Sequence, residues 1–253
     1  NVDKLFFGKN AVLRDEYNRL FASVFVNPDM VKNIVQLLYT RNAGFTRKEI
    51  VEKLEITDGG RLSSNLNALI SSDFIMKYVP FGYGKREEHY KLVDPFCIFY
   101  LHFIWKQKKI SEKFWQQNTT SAPVSIWRGF AFENVCFNHI EQIKRSLGIS
   151  GVITETSAWS KKEDDTEGAQ IDLLICRNDN VINMCEIKYY SGEFRVTKSY
   201  YEKILRRQAI LAERISPKFA IHSTLITTFG LNYNEYSSAF SNVIVLDDLF
   251  DNV

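Results

Sequence analysis

Two apolar, β-branched runs on either side of a short polar turn constrain this chain more than any other stretch. They are Gly168-Ala169-Gln170-Ile171-Asp172-Leu173-Leu174-Ile175-Cys176 and Val181-Ile182-Asn183-Met184-Cys185-Glu186-Ile187-Lys188, joined by Arg177-Asn178-Asp179-Asn180. The pattern predicts a β-hairpin. Successive strand side chains alternate faces, so Glu186 and Lys188 point one way and Ile187 the other. Whether Asp172 joins them depends on register, because a one-residue slip turns its side chain over. A two-residue loop at Asn178-Asp179 pairs Asp172 with Cys185 and separates the carboxylates, whereas a three-residue loop at Asn178-Asp179-Asn180 pairs Asp172 with Glu186. The second is expected here, since Asn180 tolerates the left-handed conformation such loops require.

Upstream, Ile126-Trp127-Arg128-Gly129-Phe130-Ala131-Phe132-Glu133 opens a helical pattern, and Ile126, Phe130, Glu133, Phe137 and Ile140 fall on one stripe at helical spacing. A lone carboxylate in an apolar face costs several kcal/mol, so Glu133 needs a partner such as a metal or a Lys. A strand candidate follows at Val152 to Trp159, then an acidic loop from Lys161 to Gly168 and the hairpin. Next come a helix from Thr197, its expected N-cap, to about Arg214, a strand at Phe219 to Thr228, a short helix near Asn234 to Phe240, and a last strand at Val243 to Leu246.

Asp172 followed by Glu186-x-Lys188 resembles the PD-(D/E)xK signature of restriction-endonuclease-like nucleases, in which a carboxylate on the preceding helix completes the site, and Glu133 fits that slot. The order helix, three-strand meander, helix, strand is similar to the αβββαβ core of that fold. The resemblance implies a mixed α/β domain in which Asp172, Glu186, Glu133 and the carbonyl of Ile187 hold Mg²⁺. It also implies that Lys188 activates the attacking water and a phosphodiester of DNA is cleaved. The catalytic set is then Asp172, Glu186, Lys188 and Glu133. A Glu-x-Lys on a strand also arises by chance as a solvated face. Lys198, Lys203, Arg206, Arg207, Arg214 and Lys218 outnumber Glu202 and Glu213 on the following helix, which suits it to guiding a phosphate backbone. Gln208 is similar to a glutamine some of these nucleases carry there, although the tyrosine often found four residues on is Ala212 here.

The 253 residues, 45% hydrophobic and 25% charged with net charge +2, are enough for one or two globular domains with a real core. Nineteen Phe and twelve Tyr make the chain strongly aromatic, yet no apolar run is long enough to cross a bilayer and no signal peptide is visible. Cys97, Cys136, Cys176 and Cys185 lie in apolar contexts without metal-binding spacing and read as reduced residues of a cytoplasmic protein. His89, His102, His139 and His222 form no metal-ligand spacing.

Residues 27–95 read as a separate unit. Asn27-Pro28 opens a helix to about Tyr39, Thr46-Arg47-Lys48-Glu49 is a capping box for a helix to Leu54, and a third helix runs from Arg61 to Ser71. Strands at Phe74 to Val79 and Glu88 to Leu92 flank the tip Pro80 to Arg86. That is the pattern of a winged helix-turn-helix. Its nucleic-acid candidates are Arg61, Lys85 and Arg86, but the unit lacks a basic stripe. Residues 96–124 read as a helical connector, including the lysine-rich Trp105 to Trp115, and residues 125–253 as the nuclease-like domain.

The layout resembles the C-terminal region of a family of archaeal and bacterial P-loop ATPases, carried by Asp94-Pro95-Phe96, by Trp127 to Glu133 and by Gly168 to Lys188. In that family an ATPase domain would precede Asn1, making residues 1–26 the tail of that region, with ATP bound only upstream. Gly82 to Arg86 lacks the spacing of a phosphate loop. The partners implied are DNA and the upstream ATPase domain, with no membrane and with oligomerisation left open. Two rivals stand beside the nuclease. One is a nuclease-shaped module that binds nucleic acid or a protein and serves the ATPase without cutting, with Asp172, Glu186 and Lys188 paired to each other. The other is a regulator acting through the winged helix alone.

Overall fold

The computed structural model describes residues 1–107, 111–160 and 170–250, which form a mixed α/β protein of two compact units. One unit comprises residues 1–78 and 85–130, and the other 79–84 and 131–253.

In the first unit a single π-helical turn, Asp3–Phe7, precedes α1 (Glu16–Val24) and α2 (Pro28–Tyr39). Residues 1–26 belong to this core: Phe7, Tyr17, Phe21 and Phe25 are all buried, and Tyr17 stacks on Tyr100 with ring centroids 4.3 Å apart. Pro28 sits in the first turn of α2, but Asn27 offers it no side-chain cap. Instead the Asn27 Oδ1 accepts a bond from Arg61 Nη2 at 2.7 Å.

β1 (Phe45–Thr46) leads into α3 (Arg47–Leu54), whose capping box is complete. Glu49 N–H donates to Thr46 Oγ1 at 3.2 Å, and Thr46 N–H donates back to Glu49 Oε2 at 2.8 Å. α4 (Gly60–Ser71), β2 (Ile75–Tyr78) and β3 (His89–Leu92) follow, and the three strands form an antiparallel sheet in the order β1-β3-β2. α5 (Pro95–Phe103) starts at Asp94, whose side chain accepts the Cys97 N–H at 2.6 Å. α6 (Phe114–Asn118) is capped from far upstream, since Asp3 accepts the N–H groups of Trp115 at 2.7 Å and Gln116 at 3.0 Å. No single connector helix spans the described part of Trp105 to Trp115: α5 ends at Phe103, α6 begins at Phe114, and residues 108–110 lie outside the described residues.

α7 (Ala122–Asn138) contributes its first half to the first unit and its second half to the other. Of the expected stripe only the later part turns inward, with Glu133, Phe137 and Ile140 half-buried and the last two packed on the core of the second unit. Ile126 and Phe130 are exposed, while Phe132 and Cys136 face the core. The physical reason is that α7 is apolar nearly all round between Phe130 and Phe137, so spacing alone does not select a face.

The second unit adds α8 (Ile140–Ser146), β4 (Thr154–Ser160), β5 (Gln170–Arg177), β6 (Val181–Lys188), β7 (Phe194–Arg195), α9 (Lys198–Ala212), β8 (Ala220–Thr227), β9 (Leu231–Asn232) and β10 (Asn242–Val245). The acidic loop expected at Lys161 to Gly168 lies outside the described residues. Five strands form a mixed sheet in the order β10-β8-β6-β5-β4, in which β4, β5 and β6 are antiparallel neighbours and β6, β8 and β10 are parallel. Ile171, Leu174, Ile182 and Met184 cluster with Ile204 and Leu211 of α9, while Leu173, Ile175, Cys185 and Ile187 cluster with Phe132 and Cys136 of α7. The open edge of β4 is covered by residues 79–84: Phe81 N–H donates to Ala158 O at 3.2 Å, and Ser157 Oγ donates to Val79 O at 2.8 Å.

Candidate functional site

The hairpin takes the three-residue loop. Leu173 pairs with Cys185 and Cys176 with Ile182, which leaves residues 178–180 as the turn, and Asn180 has φ +66°. Carried one step further, that register sets Asp172 opposite Glu186. Asp172 Oδ2 accepts the Ile187 N–H at 3.1 Å.

The other neighbour of β5 adds a feature that spacing did not announce. Ser157 pairs with Leu174 but Trp159 with Ile171, so Ala158 of β4 faces two residues of β5, Asp172 and Leu173. This is a β-bulge, a device that re-aims side chains. Its effect is visible in the packing: Ile171 and Leu174 join the α9-side cluster and Leu173 the α7-side cluster, so the strict alternation breaks beside Asp172. Asp172 accordingly feels groups from both sides. Burial pushes its carboxyl above the ordinary carboxylate range, and the charges of Glu186 and Glu133 push the same way, against the pull of Lys188 and the Ile187 N–H. Glu133, half-buried on α7, is thus within electrostatic reach of Asp172 and Lys188.

Glu186 is the most enclosed member, its side chain 4% exposed. Lys188 Nζ lies 2.8 Å from Glu186 Oε1 and 3.6 Å from Asp172 Oδ2. The Tyr200 hydroxyl donates to Glu186 Oε1, and the Arg207 guanidinium forms an ion pair with Oε2. Burial lowers the proton affinity of Lys188, but the two carboxylates more than offset it, so its ammonium is held above its ordinary range. Burial and the Glu186 charge likewise raise the Tyr200 phenol, which keeps its proton and remains a donor.

Tyr200 and Arg207 stand seven residues apart, two turns of α9, on the face that also carries the buried Ile204 and Leu211. Tyr200 was not among the expected site residues. The signal for it was present: Thr197 caps α9 by accepting the Tyr200 N–H, which fixes Tyr200 in the first turn and Arg207 on the same stripe. Thr227 is a second addition, aligned with Lys188 on the neighbouring strand, with its hydroxyl buried and without a hydrogen-bond partner.

The expected nucleic-acid contacts fare differently from one another. Arg207 is engaged by Glu186 and so is not a free phosphate ligand, whereas Lys198, Lys203 and Arg206 are exposed along α9. Gln208 donates to Ser223 Oγ at 2.7 Å. In the first unit Arg61 is tied to Asn27, and Arg86 is exposed in a 3-10 turn, Lys85–Glu87.

The donor set is hard oxygen, the type Mg²⁺ takes. Its arrangement does not fit that ion: both Glu186 oxygens already accept from Lys188, Tyr200 and Arg207, and among the described residues no three His, Cys, Asp or Glu side chains are placed to hold a metal.

The described residues define a mixed α/β protein with a buried charge cluster at the end of one strand. No protein-family model and no curated protein matches the chain. Among solved structures it is similar to the protein of unknown function AF1548, at 13% identity and a TM-score of 0.32. The match covers 46% of this chain and 64% of that one, so the chain spans less than two thirds of that protein's length. A likeness at that level defines neither a fold family nor a function.

Among the described residues no helix is long and apolar enough to cross a membrane.

Proposed function

We propose that the chain is the C-terminal part of a P-loop ATPase, in which a winged helix-turn-helix and a PD-(D/E)xK nuclease-like domain engage DNA and regulate the ATPase without cutting. Three helices with an antiparallel β1-β3-β2 sheet support the first module. The helix, antiparallel meander, helix and parallel strand of the five-stranded sheet support the second. One observation carries the choice against cutting: both oxygens of Glu186 are already engaged, Oε1 by Lys188 and Tyr200 and Oε2 by Arg207. A buried carboxylate held by two cations and a phenol is stabilised where it stands, and a metal at Glu186 would compete with those two cations for its charge.

A second reading, Mg²⁺-dependent cleavage of DNA by Asp172, Glu186, Lys188 and Glu133, has its own support. Burial, and after it the charges of Glu186 and Glu133, keep the Asp172 carboxyl raised, and a cation beside the three carboxylates would offset those charges.

A Mg²⁺ titration on supercoiled plasmid DNA separates the two. The regulatory reading expects a gel shift without nicking. Nicking that disappears in Lys188→Ala while the unfolding curve stays in place would replace it with the nuclease.

A further inference from the structure

β6 and β8 are parallel neighbours with Lys188 aligned to Thr227, so the chain leaves both strands at the same level, beside the charge cluster. The exits are tied together: Tyr190 N–H donates to Thr228 Oγ1 at 3.0 Å, and Phe194 N–H donates to Gly230 O at 2.8 Å where β7 pairs with β9. On these bound exits sit aromatic side chains left in solvent, Tyr190 at 50%, Phe229 at 61% and Tyr233 at 78% exposure. A single exposed ring is ordinary, but three on mutually bonded segments concentrate exposed aromatic surface where the two strands end.

The surroundings say which kind. Arg195 on β7 and Lys198 at the start of α9 are exposed on the same segments, whereas Glu193, the acid among them, accepts a bond from Asn232 Nδ2 at 3.2 Å. Aromatic contacts lead from the surface inward, from Tyr190 to Phe194 at 5.8 Å between centroids and from Phe194 to Tyr200 at 5.3 Å. Tyr200 in turn donates to Glu186. Flat rings beside cations match a chain whose bases have free faces and whose backbone is anionic. In a duplex the bases cover each other, and such rings find nothing to stack on.

We propose that Tyr190, Phe229 and Tyr233 form a stacking platform for single-stranded nucleic acid, with Arg195 and Lys198 contacting its phosphates. This rests on the reading of the module as one that engages nucleic acid, and it names the form of that ligand.

The test is fluorescence anisotropy of the full chain in EDTA, with labelled oligothymidylate and a duplex of the same length. Wild type is expected to bind the single strand more tightly. A variant with Tyr190→Ala, Phe229→Ala and Tyr233→Ala should lose about tenfold or more in single-strand affinity, given typical stacking contributions per base. The corresponding triple Leu variant keeps apolar bulk without a π-face and should lose affinity as well, which guards against a folding artefact in the Ala variant. Equal affinity for duplex and single strand, or a Leu variant that binds like wild type, overturns the platform and leaves the broader reading standing. Failure to bind either form overturns both.

Discussion

The Arg207 guanidinium is paired with the Glu186 carboxylate across the α9–β6 packing, with side-chain exposures of only 12% and 4%. A pair this enclosed is weak evidence for net stability, but removing Arg207 leaves the buried Glu186 Oε2 without its partner and only Lys188 to balance the charge. Arg207→Ala is expected to cost about 1–3 kcal/mol in urea unfolding. Glu186→Gln in the same background should recover part of it, because an amide needs no counter-charge. A single-variant effect within about 0.5 kcal/mol, the range of an ordinary surface change, would mean that the pair is not held in solution.

Asp172 gives the molecule an acid-side signature. Its folded pKa is raised above the unfolded value by burial, Glu186 and Glu133, so the native state binds the extra proton. Its contribution is therefore fully present below the ordinary carboxylate range and is lost as pH rises through the raised pKa. Glu49 runs the other way. Burial works against its ionisation, but the bonds from Arg41 and Thr46 outweigh it and hold the carboxyl down at about 2, so its contribution is present at neutral pH and lost only toward that value. Unfolding free energies measured across the mildly acidic range should fall less steeply with rising pH in Asp172→Asn than in wild type. Parallel curves would remove the Asp172 assignment.

Legibility of the fold in the sequence followed how local the determinants were. The hairpin register was readable because a three-residue loop with Asn at its left-handed position fixes the pairing by itself, and Asn180 has φ +66°. The Thr46–Glu49 box and the Thr197 cap were readable for the same reason. The bulge at Asp172 and Leu173 was not, because it is a mismatch with β4, a strand separated from the hairpin by a long connection. The role of Arg207 was hidden differently. Its charge suggested phosphate, while its seven-residue spacing from Tyr200 put it on the inner face of α9, where Glu186 satisfies it. The two-residue strands β7 and β9 carry too little periodicity to announce themselves.

Gly44 should be the least replaceable glycine of the first unit. It has φ +72°, and a Cβ there would lie 2.1 Å from the Tyr90 carbonyl oxygen and 2.7 Å from its carbon, both backbone atoms of β3. The left-handed conformation alone costs an L-residue about 1–2 kcal/mol, and the contact cannot be relieved without moving the strand. Gly44→Ala is therefore expected to destabilise by more than that figure. The check is thermal unfolding against Gly59→Ala, which meets nothing within 4 Å. Equal shifts in the two variants would refute the close approach.

Asn180 tests the premise on which the charge cluster depends. Its left-handed backbone, φ +66°, closes the loop that sets Asp172 opposite Glu186. Asn180→Gly removes the steric cost of that conformation and should leave stability nearly unchanged or slightly higher. Asn180→Val, β-branched and poorly suited to positive φ, should cost at least about 1 kcal/mol. If the valine also shifts the loop, Asp172 and Glu186 lose their common level and the proton affinity of Asp172 relaxes toward the ordinary carboxylate range. The acidic-range slope of stability then flattens toward that of Asp172→Asn. A valine variant as stable as wild type would show that the left-handed conformation at Asn180 is not what holds the register.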